Sequence, residues 1–216
     1  LFTWVVQRRL ADRPTLSSPA PAAEVVLALR GADPSLSQTL AALAVQNYPG
    51  TWRLLLVIDS SQDPAWALAH AQIANLQASN QARWQEARLV ALQEPPPAQS
   101  LKCAALRQAF ALLHAATRVV ALIDADAVVA PGWLTALVAG CGQDGIAAVS
   151  GNRWYAAAKG SSACAVRAIW NGGALVLMTL LQIPWGGSLA IRQPLIDASG
   201  WSEVLATSLC EDTALP

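Results

Sequence analysis

Charged side chains are scarce in this chain of 216 residues, since Asp, Glu, Lys and Arg make up only 13% of it, against about 25% in typical soluble domains. Acidic and basic residues number 14 each, which gives a formal net charge of +0. Without a basic excess, nucleic acid is not expected as a partner. The hydrophobic share is 54%, which indicates either contact with lipid or a protein partner, or simply a chain rich in Ala and Leu.

Long hydrophobic runs are absent as well: no stretch of about 18 apolar residues occurs, so we predict no complete membrane-spanning helix. Residues 1–6 are apolar and are followed by Gln7, Arg8 and Arg9. Because arginine collects at the cytoplasmic end of membrane helices, residues 1–20 are expected to be either the end of such a helix or a frayed tail. Residues 21–216 are expected to form the folded domain.

Several familiar site signatures are missing. The four cysteines form no C-x-x-C pair and neither histidine lies at ligand spacing from them, so zinc and a disulfide framework are not expected. Buried thiols in a reducing compartment are the simpler interpretation. The sequence has no G-x-x-x-x-G-K-[ST] or G-x-G-x-x-G loop, and Gly186-Gly187-Ser188 lacks the flanking residues of a nucleophile elbow.

What the sequence does contain is an alternation of short apolar runs and longer helical patterns. The predicted strands are Glu24–Leu29, Trp52–Ile58, Arg88–Leu92, Arg118–Ile123 and Ile146–Ser150. The predicted helices are Leu36–Gln46, Pro64–Ala78, Leu101–Ala116 and Pro131–Cys141, with Ser35 and Asp63 as N-caps of the first two. Strands that are apolar on both faces and separated by helices indicate an α/β fold, a three-layer sandwich with a mostly parallel central sheet.

The second half of the chain changes character. One long helix is predicted over Ser161–Leu181, and its end together with the residues up to Ile183 is nearly all apolar. A strand over Gly187–Arg192 and a short turn or helix over Pro194–Ala198 follow. Because no closing element comes after them, we expect the sequence to be a piece of a longer protein.

Carboxylates stand at the ends of predicted strands, where ligands bind in doubly wound sheets. Asp59 follows the second strand and could accept hydrogen bonds from a base or ribose, or could be an ordinary turn residue. Asp124 and Asp126 follow a five-residue aliphatic strand. Two carboxylates at this spacing can hold a hard divalent cation, which can bridge a diphosphate and neutralise a leaving group.

An acidic pair and a lone cation complete the candidate chemistry. Glu211 and Asp212 could serve a helix dipole, or could supply a general base that takes a proton from an acceptor hydroxyl. Lys102 is one of only two lysines and stands at a helix start. It could contact phosphate or could simply be solvated at the helix end.

In their order and spacing, these motifs resemble the family 2 glycosyltransferases with the GT-A fold, and most closely the ceramide glucosyltransferase-like branch. The resemblance runs from about Glu24 to Leu215. The segments that carry it are Leu29 to Leu36 with its Gly31, Asp33 and Pro34, then Asn47-Tyr48-Pro49, Asp59, Ser100-Leu101-Lys102, Asp124-Ala125-Asp126, Gly186-Gly187-Ser188 with Ile191-Arg192, and Glu211-Asp212.

The resemblance implies roles for these residues. Asp59 would bind the uridine or ribose of a nucleotide sugar, and Asp124 and Asp126 would hold the sugar diphosphate, Asp126 through Mg2+ or Mn2+. Asp212, beside Glu211, would be the base in a single in-line displacement that inverts the anomeric centre. The remaining substrate-binding positions that the resemblance implies are Lys102, Gly187, Ser188 and Arg192.

The implied activity is transfer of a hexose from a nucleotide sugar, most simply a UDP-sugar, to a hydroxyl of a lipid-like acceptor at a membrane, with the catalytic domain on the cytoplasmic side. The apolar stretch Leu175 to Ile183 would line an entry for the lipid, or would be a core helix. The family's later Gln/Arg-x-x-Arg-Trp motif and its C-terminal membrane helices are expected to lie outside this sequence. A polysaccharide-synthesising transferase, a non-catalytic nucleotide-binding scaffold and a nucleotidyltransferase remain as alternatives.

Overall fold

A six-stranded sheet forms the centre of the computed structural model, which describes residues 14–93, 100–153, 162–181 and 183–215. The strands are β1 (Ala23–Leu29), β2 (Trp52–Ile58), β3 (Glu86–Ala91), β4 (Val119–Ile123), β5 (Ala148–Ser150) and β6 (Ser188–Arg192). The helices are α1 (Leu36–Ala44), α2 (Pro64–Ala78), α3 (Leu101–Ala111), α4 (Trp133–Cys141), α5 (Ser162–Leu181), α6 (Gln193–Ala198) and α7 (Trp201–Leu205), followed by a 3-10 turn over Asp212–Ala214. The division at residue 20 stays a prediction, and residues 1–13 lie outside the described part.

The strand order is β3-β2-β1-β4-β6-β5, and it confirms the predicted mostly parallel sheet. Strands β1 to β4 pair in parallel, whereas β6 runs antiparallel to both β4 and β5. Ser188 at the start of β6 is therefore opposite Ile123 at the end of β4. The reversal brings the beginning of β6 to the edge of the sheet where β1, β2 and β4 end.

Apolar side chains cover both faces of the sheet, as strands buried on both sides require. All seven residues of β2 are buried. Alternate residues of this strand point to opposite faces, so Leu54 and Leu56 pack in one cluster with α1, α2 and α4, and Leu55 and Val57 pack in the other with α3, α6 and α7. This arrangement confirms the three-layer sandwich.

Capping was predicted correctly for α2 and wrongly for α1. The side chain of Asp63 accepts a hydrogen bond from the backbone N of Ala65 at 2.8 Å, as an N-cap does. Ser35 makes no such bond, because its backbone is already in the helical region with φ −88° and ψ −10°. Asp33 takes that role two residues earlier, since its Oδ1 accepts from the backbone N of Ser35 at 2.7 Å.

Two helices end earlier than predicted because buried side chains need the following residues. Helix α1 ends at Ala44, and Gln46 instead uses its amide to bind the carbonyls of Ala42 and Ala130 at 3.0 and 2.9 Å. Helix α3 ends at Ala111 because the turn after it wraps around a fully buried carboxylate on β1. This carboxylate, of Glu24, accepts from His114 N at 2.9 Å and from Thr117 Oγ1 at 2.7 Å.

Helix α5 exposes much of its apolar surface. The side chains of Val166, Ile169, Trp170, Leu177, Leu180 and Leu181 are between 56% and 76% exposed. Most of them recur at the three- and four-residue spacing that places side chains along one stripe of a helix. The alternative of a core helix is therefore wrong for α5. Within the described residues, no helix combines the length and hydrophobicity needed to cross a membrane.

Candidate active site

The candidate residues gather at the edge of the sheet where the parallel strands end. Asp59 follows β2 and Asp124 follows β4, while Lys102 lies in the first turn of α3 at the same edge. The backbone N of Asp124 donates to the carbonyl of Gly187 at 3.3 Å, which joins the end of β4 to the start of β6. The topology thus brings together chemistry that is spread over 154 positions, from Asp59 to Asp212.

Lys102 links two of the predicted acidic motifs. Its Nζ lies 2.7 Å from Asp124 Oδ1 and also contacts Glu211 Oε1. The Glu211 side chain is only 7% exposed, so Lys102 supplies the positive charge that a buried carboxylate needs. Burial by itself lowers the pKa of Lys102, but Asp124 and Glu211 outweigh it and hold that pKa above its ordinary value. Lys102 is therefore charged at any physiological pH.

The backbone at Gly186 and Gly187 runs close to the carboxylates of the site, with Gly186 next to Glu211 and Asp212 and Gly187 next to Asp124. The N–H of Gly186 donates to Asp212 Oδ1 at 2.6 Å. A Cβ on Gly186 would collide with Asp212 and lie 2.7 Å from Glu211 Oε1, and a Cβ on Gly187 would collide with Asp124 Oδ2. A side chain at either position would therefore push the facing carboxylates out of their present places.

Asp212 is set up to exchange a proton near neutral pH. Burial raises its pKa from the ordinary 3.8 to about 6, and the negative charge of Glu211 adds to this effect. The N–H of Gly186 and the charge of Lys102 oppose it in part. A carboxylate with such a pKa is ionised at pH 7, yet it is a stronger base than an exposed aspartate.

Arg153 belongs to this group, although the sequence analysis did not propose it as a site residue. Its Nη2 lies 2.9 Å from Asp124 Oδ2 and 3.3 Å from Asp126 Oδ1, so one guanidinium bridges both carboxylates. Arg153 follows the end of β5, which runs in the same direction as β4 and so ends at the same edge. The sequence signal for Arg153 was a cation three residues after a short strand. That signal places Arg153 at the site only if β5 runs parallel to β4, which depends on the direction of β6 between them.

The donor set at Asp124 and Asp126 fits a divalent cation that is shared with a ligand. Both side chains offer carboxylate oxygens, and both already attract positive charge from Arg153. In the part of the chain that the structure describes, no group of three or more His, Cys, Asp and Glu side chains could hold a metal ion. Mg2+ typically takes one or two carboxylates and completes its shell with phosphate oxygens and water, which matches this pair.

A cavity of about 310 Å³ opens next to Lys102. Its walls come from the ends of β1 and β2, from the start of α3 and from the segment after β3, and they comprise Ala28, Leu29, Arg30, Asp59, Leu92, Leu101, Lys102 and Ala105. Arg30 Nε lies 3.4 Å from Asp59 Oδ2 at this cavity. Apolar walls with a carboxylate and cations at the rim suit a planar ring and its attached polar groups.

The structure separates the two remaining predicted residues. Ser188 lies at the site, but its Oγ accepts a hydrogen bond from Trp133 Nε1 at 2.9 Å. Arg192 pairs with Val119 at the start of β4, because β6 runs antiparallel. It therefore lies at the opposite edge of the sheet, where it lines a different cavity of about 360 Å³ with Arg118. The expectation that Arg192 joins the substrate site is corrected by this placement.

Solved structures with the same fold include enzymes in complex with nucleotide sugars. The mannosyltransferase PcManGT from Pyrobaculum calidifontis, in complex with GDP-Man and Mn2+, matches with a TM-score of 0.62 and 19% identity over 91% of this chain and 52% of its own. Glucosyl-3-phosphoglycerate synthase from Mycobacterium tuberculosis matches with a TM-score of 0.54 and 18% identity over 82% of this chain and 59% of its own. A complex of that synthase with Mn2+, UDP-Glc and phosphoglyceric acid gives a TM-score of 0.53.

These likenesses establish the GT-A fold, and the chain spans between 52% and 59% of the length of these structures. No curated protein sequence matches the chain. A family model described as glycosyl transferase family 21 matches residues 1–216, which is the whole sequence. Together with the sheet order and the carboxylates at its edge, this match shows that the chain belongs to glycosyl transferase family 21.

Proposed function

We propose that this chain is the catalytic core of an inverting glycosyltransferase of the ceramide glucosyltransferase-like branch, whose kinship with family 2 enzymes the motifs suggest. It transfers a hexose from a nucleotide sugar, most simply a UDP-sugar, to a hydroxyl of a lipid-like acceptor. The observation that carries this proposal is the contact of Lys102 with both Asp124 and Glu211, next to Asp212. The Lys102 side chain alone therefore connects Asp124, at the candidate diphosphate site, with Glu211, the neighbour of the candidate base.

The donor is proposed to lie along the edge of the sheet. The nucleoside occupies the cavity beside Asp59 and Arg30, and the diphosphate reaches the cluster of Lys102, Asp124 and Asp126. Asp124 and Asp126 would hold Mg2+ or Mn2+, which when bound would supply positive charge against the leaving nucleoside diphosphate. Complexes of the structural relatives with GDP-Man or UDP-Glc and Mn2+ support this arrangement.

Asp212 is proposed to act as the base. Burial and the charge of Glu211 raise its pKa, and the charge of Lys102 lowers it in part. As the acceptor oxygen forms its bond to the anomeric carbon, the bond from that carbon to the phosphate oxygen breaks. The acceptor hydroxyl gives its proton to Asp212, and the electron pair of the broken bond leaves with the diphosphate. One displacement of this kind inverts the anomeric configuration. A pKa of about 6 leaves Asp212 ionised at pH 7, as this step requires.

The acceptor is proposed to reach the site from a membrane surface along α5. Asn171 on this helix is buried, and its Nδ2 donates to the backbone carbonyl of Arg153 at 2.5 Å, so α5 is linked to the carboxylate cluster through Arg153. The exposed apolar stripe of α5 suits contact with acyl chains. Free thiols at Cys103, Cys141 and Cys210 are consistent with the reducing cytoplasmic side of that membrane.

A transfer assay tests the proposal. The chain, and the longer protein if one contains it, are incubated with UDP- and GDP-hexoses, Mn2+ and vesicles that carry hydroxylated lipids. Release of nucleoside diphosphate together with a lipid glycoside of inverted configuration is the expected result. Transfer only to growing sugar chains would favour a polysaccharide synthase, and pyrophosphate as product would indicate a nucleotidyltransferase. Donor binding without any turnover would indicate a scaffold.

A further inference from the structure

Arg153 occupies the position between the two carboxylates that the proposed function assigns to a metal ion. Its guanidinium is within 3.3 Å of both Asp124 and Asp126. The Cζ atom also lies 4.4 Å from the centroid of the Trp185 ring, which is a cation–π contact. The side chain is therefore held by two carboxylates on one side and by an aromatic face on the other.

The two cations of the cluster have different tasks. Lys102 contacts Asp124 and the buried Glu211, so removing it would leave a carboxylate without compensation in the interior. Arg153 serves the outer part, since it bridges from Asp124 to Asp126, whose side chain is 49% exposed. Asp126 is the more exposed of the two carboxylates, so a metal ion from solvent would reach it first and would find Arg153 already paired with it.

We propose that Arg153 is the resident counter-cation of the Asp124–Asp126 pair and competes with the divalent metal for it. The inference rests on the proposed metal role of these two residues. Both cations need the same carboxylate oxygens, so binding one weakens binding of the other. Free metal then binds weakly, and the metal enters together with a nucleoside diphosphate, whose oxygens add ligands that Arg153 cannot displace.

The surroundings allow the guanidinium to move while its backbone stays in place. Asn171 holds the carbonyl of Arg153, and Trp185, whose backbone N donates to Ser150 Oγ at 2.8 Å, offers an aromatic face. A guanidinium displaced from Asp124 and Asp126 would shift its position relative to that face. Displacement by metal therefore changes the environment of Trp185, which gives the exchange an optical signal.

Calorimetric titration of Mn2+ in the absence of nucleotide tests the competition. Arg153→Gln should bind Mn2+ about tenfold more tightly than the wild type, a size typical of coupling between two ligands. Arg118→Gln is the charge-matched control, because Arg118 bonds carbonyls of its own turn at the opposite edge of the sheet, and it should leave the affinity unchanged. Adding Asp126→Asn to Arg153→Gln should abolish the gain.

Titration with Mg2+, which does not quench fluorescence by paramagnetism, gives the second measurement. The wild type should show a change in tryptophan emission that Trp185→Phe removes. Equal Mn2+ affinity in Arg153→Gln and wild type, or no detectable binding to either, would overturn the proposal. Binding of UDP and GDP is measured separately in the same variants, so a failed donor assignment would appear as absent nucleotide binding, whatever happens to the affinity for free Mn2+.

Discussion

At the scale of single residues, the site holds more carboxylates than positively charged side chains that contact them. Asp124, Asp126, Glu211 and Asp212 lie together, and the described cations that contact them are Lys102 and Arg153. Burial, together with the negative charge of Glu211, raises the pKa of Asp212. The cluster is therefore suited to receive further positive charge from a metal ion and a proton from an acceptor.

Asp212→Asn should lower the transfer rate roughly 10²- to 10⁴-fold, because the amide cannot accept the proton. In the wild type the rate should rise with pH through about 6, where Asp212 loses its proton. A pH–rate profile of the wild type and a single-pH comparison with the variant check both effects. A variant that retains the wild-type rate would remove Asp212 from the mechanism.

The same substitution should also change how stability depends on pH. The folded-state pKa of Asp212 is raised above its ordinary value of 3.8, so its contribution to stability is fully present below pH 3.8 and is lost as the pH rises through about 6. Asn keeps the uncharged state, and Asp212→Asn should therefore raise the Tm relative to the wild type at pH 8 but not at pH 3.5. Thermal unfolding followed by circular dichroism at the two pH values measures this difference.

Gly187→Ala should disturb the site without an equal effect on the fold. The added methyl group would collide with the Asp124 carboxylate and would lie near Arg153 Nη2, so it would shift the acidic pair. We expect the transfer rate to fall about a hundredfold, as misplacement of reacting groups by an ångström can cause. Gly172→Ala on α5 is the matched control, because among the described residues its Cβ would meet no atom within 4 Å. That control should stabilise the protein by roughly 0.5–1 kcal/mol while the rate is kept.

At the scale of elements, strand and helix positions follow from local sequence far better than their ends do. Helix α2 begins at the predicted residue because Asp63 and Pro64 mark its start unambiguously, and it also ends at the predicted Ala78. Helices α1 and α3 end early because Gln46 and Glu24 need partners from distant segments. Such needs arise only after the chain has folded, so a local pattern does not reveal them.

Helix α5 carries the proposed contact with the membrane. Ile169→Glu or Trp170→Glu should weaken binding of the protein to lipid vesicles several-fold, because each places a charge on a side chain that is at least 75% exposed on the apolar stripe. Co-sedimentation with vesicles measures the bound fraction. Val45→Glu, at a 43% exposed apolar position after α1, is the control and should bind as the wild type does. Equal binding by all variants would separate α5 from the membrane.

At the scale of the whole molecule, the α/β architecture and the edge that carries the site follow from the order of apolar strands and the polar residues after them. Asp59, Lys102 and Asp124 could be found this way because each follows or precedes a predicted element directly, whereas Glu211 was found as part of an acidic pair and through the family resemblance. Arg153 and Arg192 could not, since their positions depend on β6 being antiparallel. A strand pattern of period two is the same in both directions, so the sequence does not encode this reversal locally.

The proposed function requires this edge of the sheet to bind a nucleoside diphosphate together with a divalent metal. Calorimetric titration of UDP, and of GDP in parallel, into the chain with Mn2+ and then with EDTA tests it most directly, alongside Asp126→Asn. We expect binding that requires Mn2+ and that Asp126→Asn abolishes. A chain that is folded by circular dichroism, yet binds neither nucleotide in the presence of Mn2+, would contradict the assignment of this site.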